Sequence, residues 1–246
     1  MSALVPLIVF EDRWILGILK PSGMHTVSHS RGSADSVAGW LAQERSYLAG
    51  VSPKRGEAGL LNRLDFETSG LLLCAKDRGA WRELSSLQRA GHMRKRYLAV
   101  VEGLFRQRRR IEGLIGSRYR RSKKVEVRPA GKAAARYLPA WAEFEPLLVK
   151  EHEGCSVVRV CIGSGRRHQI RALAAFGGHP LVGDRLYGAA SSPGSWGAEE
   201  ELPQFLLHAE SVEFRHPYTA APMMVVAPAP RWLDGLREKT DSRAGN

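Results

Sequence analysis

Long apolar runs are missing from this chain. None approaches the roughly 18 residues a membrane-spanning helix needs, and Met1 to Phe10 lacks the basic start and long apolar stretch of a secretory leader. A cytoplasmic protein with no membrane contact is the expectation. Cysteine is scarce too: Cys74, Cys155 and Cys161 are the whole complement. That odd count, without a Cys-x-x-Cys pair, argues against a disulfide framework and against a zinc or other metal site. Each sits in an apolar, strand-like stretch and reads as a small buried hydrophobe. Disorder is excluded by composition, since 43% of the residues are hydrophobic and 25% charged, ordinary values for a soluble domain able to bury a core. No internal repeat is visible.

Acidic residues are few where basic ones are many. The net charge of the 246 residues is +12, and its distribution is uneven. The 48 residues from Arg89 to Arg136 hold 16 Lys or Arg against 3 Asp or Glu, so this one segment carries the entire imbalance and the rest is close to neutral. A charge run is commonly just a solvated face, but an excess this localised points to a polyanion, and nucleic acid fits best. A basic amphipathic membrane helix is the competitor. Arg106 to Lys132 is interrupted by Gly113, Gly116, Pro129 and Gly131 and alternates Val125 and Val127 with charge, so it reads as a hairpin.

Period-two patterns predict strands at Leu7 to Phe10, Trp14 to Leu19, Leu71 to Ala75, Arg96 to Val101, Lys123 to Arg128, Arg136 to Glu145, Ser156 to Ile162 and Met223 to Val226. Helices are fewer: about Asp35 to Arg45, a second with Asp77 as N-cap, and a third over Arg167 to Phe176 ending at Gly177 and Gly178. Strands and helices do not alternate, which predicts an α+β fold. Ala189 to Gly197 reads as a surface loop and Lys239 to Asn246 as a flexible tail.

The richest stretch is Asn62 to Lys76, NRLDFETSGLLLCAK. It sets Asp65 between Arg63 and a Thr68-Ser69-Gly70 turn, followed by an apolar strand. From these residues alone, an aspartate capping its own turn is the commoner reading. The segment resembles the signature of the RluA-type pseudouridine synthases, and other blocks follow in the family's order: Lys20, Pro21 and Gly23 in a Lys-Pro-x-Gly turn; KRYLAVVEG from Lys95; SGRRHQIR from Ser164 with GHPLVGDRLYG from Gly178; and Leu207 to Ala209 with Phe214, His216 and Pro217. The similarity runs from about Leu7 to Trp232.

That resemblance implies a pseudouridine synthase fold, a mixed and largely antiparallel central sheet flanked by helices and loops. It implies an enzyme that breaks the N-glycosidic bond of a uridine in ribosomal or transfer RNA and rejoins the base through carbon, with no cofactor. The chemistry asks for a carboxylate at the sugar, a flat apolar surface for the extruded base and a cation beside the carboxylate. By resemblance these are Asp65, Tyr97 and Arg171. Arg63 resembles the residue that fills the gap left by a flipped nucleotide. Arg166 is read as a phosphate contact with Arg167 near a helix start, and His168, three residues before Arg171 on the same helical face, as a loop-shaping or substrate-backbone contact. Each has a plainer reading: Tyr97 as a core aromatic, Arg171 as a snorkelling arginine, Arg63 as half of a surface ion pair.

One catalytic domain over residues 1–238 is expected, with a basic insert at about 106–132, a tail at 239–246 and no room before Leu7 for the small S4 RNA-binding module of some family members. The insert takes that module's part, with Arg108, Arg109, Arg110, Arg120, Arg121, Lys123 and Lys124 on RNA phosphates. A monomer is expected. Two positions depart from the family pattern: Asn62 where His is common, and Leu173 where a His often follows the Gln-Ile-Arg arginine. They put substrate choice in doubt more than activity. Two other classes stay open, an inactive RNA-binding relative in ribosome assembly or as a chaperone, and a glycoside hydrolase, which usually needs a second opposed carboxylate.

Overall fold

A single sheet organises the computed structural model, which describes residues 4–28, 35–119, 121–131, 136–193 and 202–241. The strands are β1 (Leu7–Glu11), β2 (Ile15–Lys20), β3 (Ser69–Ala75), β4 (Arg94–Glu102), β5 (Arg109–Gly116), β6 (Glu126–Arg128), β7 (Leu138–Lys150), β8 (Cys155–Ile162), β9 (Leu207–Arg215) and β10 (Pro222–Val226). The helices are α1 (Val37–Glu44), α2 (Arg78–Arg89), α3 (Gln169–Phe176) and α4 (Arg231–Asp241). Across the sheet the order is β1-β2-β3-β9-β4-β8-β7-β5-β6, with β10 on β9. Among the pairings between these strands one is parallel, Ser69 with His208 and Gly70 with Ala209 between β3 and β9. The arrangement is the expected α+β fold.

Alternation along the central strands divides the core. Tyr97, Ala99 and Val101 of β4 enter the main core with Val158 and Val160 of β8. Leu98 and Val100 face the other side, where Trp232, Leu233 and Leu236 of α4 cover them. All three cysteines are buried and unpaired, as their surroundings predict. The helix ends follow capping chemistry: Ser36 accepts from Gly39 N at 3.1 Å, Asp77 accepts from Ala80 N at 2.8 Å, and α3 stops where Gly178 takes a φ of +86°.

Several local expectations need correction. The third helix begins at Gln169, not Arg167, because the Gln169 side chain takes the Arg166 N–H at 3.0 Å and His168 is left-handed at φ +52°. His168 is therefore the N-cap, not a helical neighbour of Arg171 one turn away. β5 has no counterpart in the predicted strands, since three consecutive arginines hide the alternation of Ile111, Gly113 and Ile115. It pairs with β6 as a hairpin and along its length with β7. Helix α4 runs to Asp241, so the first three residues of the expected tail are helical, and 242–246 lie outside the described residues. So do 194–197 of the expected surface loop.

Gly70 makes the parallel step possible. Its φ is +111°, and a Cβ there would collide with the main chain of Ala209. Gly70→Ala should cost about 2–3 kcal/mol, the order expected for forcing a side chain into that backbone region, with the clash adding to it. Urea denaturation at matched m-value checks this; a variant within about 0.5 kcal/mol of wild type would show that the β3–β9 contact yields easily.

Candidate active site

Asp65 is held from both sides by the chain that leaves β2. Thr26 Oγ1 donates to Leu64 O at 2.9 Å and accepts from Leu64 N at 3.0 Å. Beyond Asp65, the Lys20 ammonium donates to the carbonyls of Pro21, Met24 and Phe66 at 2.7–3.0 Å. Lys20 is fully buried, and that burial pulls its pKa down to about 7 against the opposing charges of Asp65 and Glu67. Three carbonyls take all three of its N–H donors, which ties the turn after β2 to the loop after Asp65. The turn itself is closed by main chain, Thr68 N to Asp65 O at 3.1 Å. The Asp65 carboxylate is thus left for another partner, and the capping reading of this residue does not hold.

That partner is Arg171. Its Nη1 donates to Asp65 Oδ2 at 3.0 Å, while Nε and Nη2 form a fork on Asp184 at 2.6 and 2.8 Å. Arg171 is 7% exposed and Asp184 not at all, so the arginine is neither solvated nor snorkelling. Its guanidinium lies over the Phe205 ring at 4.3 Å and the Tyr187 ring at 5.2 Å. Burial lowers the arginine's pKa, but the two carboxylates outweigh it and the net shift is upward. A planar fork fixed to a buried acid presents its remaining edge to Asp65 in one orientation.

Asp65, Tyr97, Arg63, Arg166, His168 and Arg171 all line one cleft of about 770 Å³. Tyr97 is buried, and burial, followed by the Asp65 charge, raises its phenol pKa; it stays neutral and offers an apolar face. His168 Nδ1 meets the Tyr187 hydroxyl at 3.0 Å, and its Nε2 stands 3.8 Å from Asp65 Oδ1. Burial lowers its pKa, with Asp65 opposing. Arg63 is exposed at the rim, without an ion pair among the described residues.

Sequence reasoning missed Asp184 and Tyr187. The latter also takes the Val125 N–H on its hydroxyl at 3.1 Å, tying the stretch before β6 to His168. A signal for Asp184 was present: an arginine on the apolar Ile170, Leu173, Ala174 face of a helix needs a buried acid. Arg166 and Arg167 are less free than expected, since Arg166 Nε donates to Pro139 O at 3.0 Å and Arg167 Nη2 to Ser122 O at 2.7 Å. The two departures from the family pattern are structural here. Asn62 Oδ1 accepts from Leu73 N at 3.0 Å, and Leu173 is wholly buried in the core. Among the described residues no group of three His, Cys, Asp or Glu could hold a metal, and no helix is long and apolar enough to cross a membrane.

A family model described as RNA pseudouridylate synthase matches residues 15–176. A Bacillus subtilis protein named Uncharacterized RNA pseudouridine synthase YjbO is 32% identical over 94% of this chain and 76% of its own length. The Ribosomal large subunit pseudouridine synthase C of Vibrio vulnificus is 30% identical over 95% of this chain and 69% of its own. Human RNA Pseudouridylate Synthase Domain Containing 4 shares the fold, with a TM-score of 0.72 at 19% identity over 94% of this chain and 92% of that one. With Asp65, the fixed Arg171 and the buried Tyr97 around a common cleft, this chain belongs to the RNA pseudouridylate synthase family and is an isomerase acting on RNA.

Proposed function

We propose that the protein converts uridine to pseudouridine in ribosomal RNA, with Asp65 as the catalytic carboxylate, Tyr97 as the surface for the uracil and Arg171 as the cation that fixes Asp65. The observation that carries the reading is the Asp65–Arg171–Asp184 arrangement, which aims one carboxylate into the cleft from a buried support. The uracil N1–C1′ bond breaks, the base turns within the cleft, C5 bonds to C1′, C5 releases a proton and N1 takes one. Atoms and electrons balance without a cosubstrate. Arg171 acts by holding charge in place before the RNA arrives, so little reorganisation is needed when charge develops at the sugar. A protein that only binds RNA has no use for this arrangement, which disfavours the inactive alternative. The other acids near Asp65 are committed elsewhere, which disfavours a hydrolase's second carboxylate: Asp184 is buried with both oxygens taken by Arg171, Glu57 is paired with Lys54, and Glu67 accepts from Ser22 and Gln204. Ribosomal RNA is favoured over transfer RNA by the names of relatives such as the Vibrio vulnificus enzyme. Mapping pseudouridines in RNA from cells with and without the protein tests this. A ribosomal site should disappear on deletion and return with the wild-type gene; loss confined to transfer RNA would refute the target.

The basic segment is proposed to hold flanking phosphates, but its residues are not equivalent. Arg108 is paired with Glu143, and Arg110 with Glu112 while lying over Trp141. Arg121, Lys123 and Lys124 are exposed, and Arg120 lies outside the described residues. Already paired cations release fewer counterions, so the two groups should differ. Changing Arg121, Lys123 and Lys124 together to Gln should flatten the slope of log affinity against log salt by about 2, at roughly 0.7 per contact with a single strand. The same change at Arg108, Arg109 and Arg110 should flatten it by about 1 or less. Equal slopes in both triple variants and wild type would make the segment a solvated face.

A further inference from the structure

Lys95 is a buried cation without an acid. It is 3% exposed, and its only hydrogen bond among the described residues is from Nζ to Gln88 Oε1 at 3.0 Å, a neutral acceptor. Burial alone drives its pKa down, to about 8, with no carboxylate compensating. An ammonium placed this way costs stability, because desolvation is not repaid. Its surroundings are nonetheless built to hold it. The Gln88 amide nitrogen donates to Leu61 O at 3.2 Å, which turns the amide oxygen toward Lys95. Gly165 lies on another side, where an added Cβ would stand 3.2 Å from Nζ. Two of the three ammonium N–H donors are left over.

The position of those donors is informative. Lys95 lines the cleft that contains Asp65. A second cleft, of about 790 Å³, is lined by Arg89, Tyr119 and Arg136 and shares Gln88, Gly165, Arg166 and Arg167 with the first. Lys95 Nζ adjoins two of those four shared residues, so it stands where the clefts meet. Arg166 and Arg167 donate to the main-chain carbonyls of Pro139 and Ser122 and reach toward solvent, whereas Lys95 is the buried cation of the junction and bonds only a side-chain amide. Tyr119, 66% exposed, offers a ring on which a base can stack, as aromatic platforms do for single strands.

We infer that Lys95 binds the phosphodiester joining the nucleotide in the Asp65 cleft to a neighbouring nucleotide lodged in the second cleft. The inference rests on the reading of Asp65 as the site of RNA chemistry. It assigns Lys95 to positioning: an anion at the junction satisfies the two spare donors, repays the buried charge and sets which nucleotide reaches Asp65.

The probe is fluorescein-labelled pentauridylate, with versions in which a neutral methylphosphonate replaces one linkage at a time, read by anisotropy at low salt. Wild-type protein should lose about tenfold in affinity when one particular linkage is neutralised and about twofold at the others. Lys95→Met should bind the parent oligomer about tenfold more weakly, lose nothing further at that linkage, and melt no lower than wild type, since a buried uncompensated charge has been removed. Lys95→Gln, which can still donate to Gln88, should behave the same way in binding and provides the cycle if the Met variant folds poorly. Wild-type affinity in both variants, or losses that add independently to the linkage effect, would overturn the inference. A lower melting temperature with an unchanged linkage profile would make Lys95 a structural residue and overturn it equally. Wild-type protein that converts uridine with a KM shared by Lys95→Met would sink the phosphate site alone, whereas wild-type protein that converts no uridine in any RNA would sink the reading beneath it.

Discussion

Asp65→Asn should yield no measurable pseudouridine in a single-turnover assay, a loss of at least about 10⁴-fold, or roughly 5.5 kcal/mol in the barrier. The amide keeps the shape of the carboxylate and can still accept from Arg171 Nη1, so the loop clamped by Thr26 and Lys20 stays in place. What it lacks is the charge and basicity needed at C1′. RNA affinity should therefore hold within about twofold and the urea midpoint should scarcely move. Product above about 1% of the wild-type rate, with other synthases excluded, would mean that another group does the chemistry.

Breaking the support beneath Asp65 should cost more in stability than any other single change proposed here. Arg171→Ala strands Asp184, a fully buried carboxylate, and removing one partner of a buried pair costs about 3–5 kcal/mol. Arg171→Lys keeps a charge but cannot fork onto Asp184 and reach Asp65 together, so it should fall between wild type and Ala in both stability and turnover. The informative variant replaces the whole pair. Arg171→Met with Asp184→Leu removes both buried charges, and should recover most of the stability that Arg171→Ala loses while turning over no better. Urea denaturation and turnover, measured on the same preparations, separate the two roles. A double variant that regains activity along with stability would show that the arginine merely props the fold.

How far the chain could be read from its residues varied with the kind of interaction. Asp65, Tyr97 and Arg171 were singled out only through the family resemblance of the blocks that hold them, their residues alone favouring plainer readings, and the structure brings all three to one cleft. The α+β class was legible because strand and helix periods differ. Asp184 was not: the apolar face around Arg171 signals that some buried acid is needed, but an acid after Gly183 looks like any turn former, and its bonds to Arg171, 13 residues earlier, are what identify it. β5 escaped because the arginines at its start mask the alternation. His168 was misplaced because Gln169 takes its first bond through its side chain, which one-dimensional spacing does not register. The basic segment was legible as charge but not as pairing, and Glu143, which occupies Arg108, lies 35 positions away.

The site is also long in sequence. Asp65 and Arg171 are 106 positions apart, and β3 finds its parallel partner only when β9 has been made. At about 5–20 residues per second of synthesis, roughly 5–20 s separate the carboxylate from its cation. Throughout that interval the growing chain carries Asp65 on an unfinished scaffold, without the arginine that pairs with it. Contacts so distant also slow folding, since the intervening loop must be closed before they form. Competence therefore arrives late and at once: a chain interrupted before Arg171 lacks the cation that pairs with Asp65 and should convert no uridine, although its basic segment has already been made.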